Sequence, residues 1–97
     1  MEISFKNLKV PADLKATTFV SVDVRKDLGN IIYRNSADLG AFKLAEKIYD
    51  SGETCEISEQ EKDLLLNIIK MPELGISIPV QEGIALALGV ENYLGRK

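Results

Sequence analysis

The chain contains no histidine and no tryptophan, and Cys55 is its only cysteine. Histidine is the commonest general acid/base and a leading transition-metal ligand, because its pKa lies near neutrality. Its absence removes Ser-His-Asp and Cys-His catalysis and most zinc sites. A single cysteine cannot close an internal disulfide, which points to a reducing, cytoplasmic address. No apolar run approaches the roughly 20 residues that span a bilayer, so no membrane partner is expected. The opening Met-Glu-Ile-Ser-Phe-Lys lacks the basic start and apolar core of a secretory signal. The glycines are scattered singly, with neither a Walker-type loop nor a G-x-G-x-x-G run, and no cofactor is expected.

What the chain does have is the balance of an ordinary globular protein. Of its 97 residues 45% are hydrophobic and 28% charged, which suits one compact domain over residues 1–97 with a modest core. The net charge of −3 is unevenly spread: Lys6, Lys9, Lys15, Arg25 and Lys26 enrich the N-terminal third in bases, whereas residues 51–75 are strongly acidic. An acidic total argues against nonspecific binding to phosphate backbones.

The expected architecture is α+β, an N-terminal antiparallel β-hairpin (residues 1–26) packed on three to four short helices (27–90), with a frayed tail over 91–97. Apolar and polar residues alternate from Ile3 to Val10, with a phase slip around Asn7-Leu8 that predicts a β-bulge. Pro11-Ala12-Asp13 has turn chemistry. The β-branched run Thr17 to Val24 predicts the second strand, with Val20, Val22 and Val24 sharing one face.

Leu28, Ile31 and Ile32 then fall at helical spacing behind Asp27 as a cap, although a third strand through Ile31-Ile32-Tyr33 is the rival reading of residues 28–34. Leu39, Phe42, Ala45, Ile48 and Tyr49 form the stripe of the next helix, capped by Asn35, Ser36 or Asp38 and stopped at Ser51-Gly52. Gly40 inside it predicts a close backbone approach by a neighbour. Ser58-Glu59-Gln60-Glu61 fits a capping box, followed by the stripe Leu64, Leu65, Ile68 and Ile69 and a stop at Pro72. Ser77 and Pro79 open a last helix with Val80, Ile84, Ala87 and Leu88 as its apolar side and Gly89 at C′.

No catalytic constellation emerges. Residues 50–61 can be laid over a 12-residue EF-hand loop, but Gly52 takes a ligand position and Cys55 replaces the glycine of the sharp turn. The stretch reads as a solvated acidic connector, and no metal ion is expected. Cys55 lies between Glu53 and Glu56, whose negative charge disfavours a reactive thiolate. Asp23, Asp27 and Asp38 flank structured elements, and nothing in their spacing gathers them into a pocket.

Gln81 to Val90 resembles the first helix and turn of helix-turn-helix DNA-binding domains, which would place Tyr93, Arg96 and Lys97 as nucleic-acid contacts. More broadly, Asp-Leu-Gly-Asn-Ile-Ile-Tyr at 27–33, Asp-Leu-Gly-Ala-Phe-Lys-Leu-Ala-Glu-Lys-Ile-Tyr at 38–49 and Glu-Ile-Ser-Glu-Gln-Glu-Lys at 56–62 resemble small uncharacterised proteins of bacteriophages and mobile elements. That resemblance covers roughly residues 27–70 and implies a phage or prophage origin, with no activity or site attached.

The resulting expectation is a non-enzymatic protein–protein interaction module that self-associates through the exposed edge of its hairpin, at Lys6, Lys9, Thr18, Val20 and Val22. The alternative is a small DNA-binding regulator using residues 81–97.

Overall fold

The computed structural model describes residues 1–95. Its elements, in chain order, are β1 (Glu2–Ile3), β2 (Leu8–Pro11), β3 (Phe19–Val22), α1 (Arg25–Arg34), α2 (Leu39–Tyr49), β4 (Cys55–Glu56), α3 (Glu59–Ile69), a 3₁₀ turn (Pro72–Leu74) and α4 (Ile78–Ala87). The fold is α+β, with an antiparallel N-terminal hairpin packed on the helices.

The hairpin joins β2 to β3 with Val10 opposite Val20 and Lys9 opposite Ser21. Its loop is closed by Asp13, whose Oδ1 accepts from the amides of Thr17 and Thr18 at 2.9 and 3.0 Å. These bonds, led by the Thr17 hydroxyl, hold the Asp13 carboxyl below the usual carboxylate range. The phase slip predicted as a bulge is instead a turn: Ser4 Oγ accepts from the Asn7 amide at 3.0 Å, and the chain changes sheets there. β1 leaves the hairpin and pairs antiparallel with β4, Ile3 opposite Cys55. The amide of Ile57 extends that pairing by donating to the Met1 carbonyl at 2.7 Å.

Residues 50–61 are therefore not a plain solvated connector. Cys55 and Ile57 are core residues, and the rest of the stretch is exposed or half-buried. The two-residue strands β1 and β4 are too short for periodicity to reveal, and their partners lie more than fifty residues apart.

Residues 28–34 are helical. α1 begins before Asp27, which sits in the first turn and suits the helix dipole there without capping it. Asp23 performs the anchoring instead. Its carboxylate accepts from the Arg25 amide at 3.1 Å, from Nε at 3.0 Å and from Nη2 at 2.8 Å. Arg25 Nη1 in turn donates to the Ser51 carbonyl at 2.7 Å, tying the start of α1 to the loop after α2.

The Arg25 hydrogen bonds pull the Asp23 carboxyl from 3.8 down to about 2. A depressed folded pKa contributes stability that is fully present above the unfolded value and lost as pH falls through the folded one. Thermal melts of the native chain and of Asp23→Asn should therefore differ at pH 5 and converge as pH drops from about 4 through about 2. A constant difference across that window would show that the ion pair is not the source.

Asn35 and Ser36 bond backward to the α1 carbonyls of Ile31 and Ile32 rather than forward into α2. Asp38 caps α2, accepting from the Ala41 amide at 2.9 Å. The α3 capping box forms as the sequence dictates: Ser58 Oγ accepts from the Glu61 amide, and the Glu61 carboxylate accepts from the Ser58 amide. α4 ends at Gly89, whose φ of 82° provides the left-handed turn expected at C′.

One hydrophobic cluster joins both sheets to all the helices, with Phe5, Leu44, Ile48, Leu65, Ile69, Ile84 and Leu88 fully enclosed. The close approaches fall at Gly29 and Gly83, not at Gly40, where a Cβ would meet only the Asp38 carboxylate. A Cβ on Gly83 would lie 2.7 Å from the Lys9 carbonyl oxygen, and one on Gly29 would lie 2.9 Å from Tyr49 Cβ. The first contact brings α4 against β2. The second brings α2 against α1.

Candidate functional site

The two edges of the hairpin have different surroundings. The Ala12 amide donates to the Thr18 carbonyl at 2.9 Å. Hydrogen-bonded pairs alternate along an antiparallel ladder, so Val10/Val20 and Leu8/Val22 face inward as well. Pro11, which has no N–H, falls opposite Phe19 at a position where none is needed. The same alternation turns the main-chain groups of Lys9 away from β3, and it is the Lys9 carbonyl that meets α4 at Gly83. α4 thus covers the outer edge of β2.

Nothing covers β3. The amides and carbonyls of Phe19 and Ser21 point away from β2, and no described residue is bonded to them. Phe19 and Val20 are 45% and 47% exposed, although Val20 lies opposite the buried Val10. No charged side chain, proline or bulge interrupts β3, so it has none of the usual guards of a free strand. Nearby, Leu14 on the hairpin loop and Ile78 on α4 are 86% and 52% exposed.

Of the residues expected at this edge, Val20 presents its side chain there. Thr18 and Val22 direct their main-chain groups toward β2, and Thr18 is held by Asp13. Val22 is half-buried and Val24 is buried, so the three valines expected on one face grade from exposed to enclosed along the chain. Lys6 and Lys9 do not guard the edge. Lys6 sits in the turn after β1 and pairs with Glu53 at 2.8 Å, and Lys9 lies on the strand that α4 covers. Phe19 and Ser21, which supply the open groups, become identifiable only once the hairpin register is known.

A second surface feature lies along α1 and α2, which run in opposite directions: Tyr33 stands beside Phe42, and Gly29 beside Ala45 and Tyr49. Between them is a groove of about 310 Å³ lined by Gly29, Asn30, Tyr33, Phe42, Glu46 and Tyr49, among others. The stripe predicted for α2 holds at Ala45 and Ile48 and fails at Leu39, Phe42 and Tyr49. Ala41, Leu44, Ala45 and Ile48 are buried, whereas Leu39, Phe42 and Tyr49 reach the surface.

Other candidate chemistry is taken up by structure. The Glu61 carboxylate is engaged by the capping box and by Lys47 Nζ at 2.9 Å, which with the strand at β4 leaves no EF-hand loop. No group of three or more potential metal ligands occurs among the described residues. Burial pushes the Cys55 thiol up, a larger cause than its acidic neighbours, and its Sγ rests 4.0 Å from the Lys47 carbonyl.

Tyr93 packs against the core, and its hydroxyl donates to Gln81 Oε1 at 2.8 Å. Burial raises its pKa. Between Gly89 and Gly95 the chain forms turns and no recognition helix, and Arg96 and Lys97 lie outside the described residues. Among the described residues no helix is long and apolar enough to cross a membrane. Compared with protein-family models, with curated proteins and with solved structures, the chain matches none.

Proposed function

We propose that the protein is a non-enzymatic interaction module that associates with a second copy of itself through β3, within the phage or prophage setting that its sequence resemblance implies. The observation that carries this reading is the open main-chain edge at Phe19 and Ser21, on a strand with no charge to repel its own image.

Parity restricts the register: along an antiparallel edge hydrogen-bonded pairs alternate with non-hydrogen-bonded ones, and only residues whose main-chain groups point outward form the bonded pairs. The register that uses both open residues puts the twofold axis at Val20, as a non-hydrogen-bonded pair with its own equivalent, and sets Phe19 opposite Ser21 of the second copy. The pairing satisfies the open amides and carbonyls and covers the half-exposed Val20 and Phe19 side chains. So short an edge falls in the small-interface class, and weak, concentration-dependent association is expected.

Ser21→Pro tests the reading without touching the hairpin's own ladder, because the Ser21 amide points outward and proline is tolerated at such positions. Sedimentation equilibrium should show the native chain and Ser21→Thr dimerising with rising concentration, and Ser21→Pro remaining monomeric. Equal association by all three would remove β3 as the interface; a strict monomer for the native chain at millimolar concentration would remove self-association.

A further inference from the structure

The groove between α1 and α2 combines features that the hairpin reading does not use. Its floor is made by small residues, Gly29 and Ala45, and its walls by Tyr33, Phe42 and Tyr49. These are half of the six aromatic residues in the chain. Tyr33 is 59% exposed and Phe42 and Tyr49 each 37%, so their rings are open to a ligand. Tyr33 and Phe42 stand 6.0 Å apart with their planes tilted by 56°, forming a corner rather than a closed stack.

The rim is acidic. Glu46 on α2 and Asp50 at its C-cap lie one helical turn apart, and both are exposed. Among the described residues the ion pairs are those of the N-terminus with Glu56, Lys6 with Glu53, Arg25 with Asp23 and Lys47 with Glu61. Neither groove carboxylate takes part in one. At the far end Lys26 Nζ lies 3.7 Å from the centre of the Tyr49 ring and donates to the Tyr49 carbonyl at 3.1 Å. The molecule thus already places a cation on one ring of this cluster, and among the described residues none sits on the ring of Tyr33 or Phe42.

We infer that this groove binds an arginine side chain of a partner protein's peptide, with the guanidinium against Tyr33 and Phe42 and facing the Glu46 carboxylate. Charge complementarity selects the occupant: open aromatic faces attract a cation through their negative π-surface, and an unpaired carboxylate beside them adds a directed acceptor. The flat guanidinium suits this corner better than an ammonium, because it can stack on a ring while donating in its own plane. Asp50 extends the negative rim toward Tyr49 for a second basic residue of the same peptide.

The test uses ¹⁵N-labelled full chain carrying Ser21→Pro, so that failure of this inference and failure of hairpin pairing remain separable. Acetyl-Gly-Arg-Gly-Arg-Gly-amide is titrated alongside its lysine and citrulline counterparts. The arginine peptide should shift the amides of Gly29, Tyr33, Phe42, Glu46 and Tyr49 together, binding at least about threefold more tightly than the lysine peptide. The uncharged citrulline peptide should produce no such shifts. Tyr33→Ala and Glu46→Gln each change an exposed side chain, and each should weaken binding by about tenfold, equivalent to about 1.4 kcal/mol. Equal response to the citrulline peptide would overturn the inference. So would shifts spread over the acidic residues 53–61, or unchanged affinity in both variants.

Discussion

Phe5→Ala is expected to remove a large share of the folding free energy. The Phe5 side chain is completely enclosed, although it sits in the turn between β1 and β2 rather than in a strand. Its main chain also links elements, since the Phe5 carbonyl accepts from the Val24 amide at 2.9 Å, just before α1. Truncating a buried phenylalanine typically costs about 3–5 kcal/mol, through lost transfer free energy and the cavity left behind. Domains of this size have about 5–15 kcal/mol in total, so the variant should sit near the edge of folding. Urea denaturation should show a fall in midpoint with little change in slope. A loss below about 1 kcal/mol would mean that the turn is not the junction at which the two sheets and α1 meet.

Gly83→Ala should be destabilising even though alanine is the better helix former. On propensity alone the change would add about 1 kcal/mol to α4. The new Cβ, however, would sit 2.7 Å from both the Lys9 carbonyl oxygen and Val10 Cγ1, distances that real Cβ atoms essentially never show. Backbone on one side and a core side chain on the other leave little room to yield. Overpacking of this kind costs typically about 1–3 kcal/mol and should lift α4 from the β2 edge it covers. The same substitution at Gly40 is the control. There the neighbour is the Asp38 carboxylate oxygen at 3.2 Å, the end of a flexible side chain, so propensity should win and stability should rise by up to about 1 kcal/mol. Opposite signs at the two glycines are the expected result in thermal melts; destabilisation of similar size at both would refute the close approach at Gly83.

These two residues also mark how far the sequence could be read. Features written in adjacent letters were legible: the Ser58–Glu61 capping box, the β2–β3 hairpin and the Gly89 helix stop all stand where local chemistry puts them. Features that depend on a distant partner were not. Phe5 looks like one more residue of an alternating strand until β1 is seen to pair with β4 across the whole helical hairpin. Gly83 resembles any helix glycine, and only the approach of β2 shows why a side chain is excluded there. Asp27 has the chemistry of a cap, yet α1 starts three residues earlier, at the Asp23–Arg25 pair.

The candidate surfaces follow the same division. Val20 was legible as an edge residue from its β-branched strand, whereas the open groups belong to Phe19 and Ser21 because the register, not the composition, decides which amides face outward. Phe42 and Tyr49 fit a core stripe by spacing. They line a groove because α2 buries the neighbouring stripe through Ala41, Leu44, Ala45 and Ile48. The expected and the buried stripes share Ala45 and Ile48, so apolar periodicity does not resolve them.

Concentration-dependent amide hydrogen exchange at Phe19 and Ser21 tests the central claim most directly, because those amides report the β3 edge and nothing else. In dilute solution both should exchange close to the rate of an unstructured amide, while the inward amide of Val20 stays protected. As concentration rises toward the millimolar range, protection at Phe19 and Ser21 should rise in step with dimer population. Amides that remain unprotected while the protein dimerises, or that are fully protected in the monomer, would contradict it.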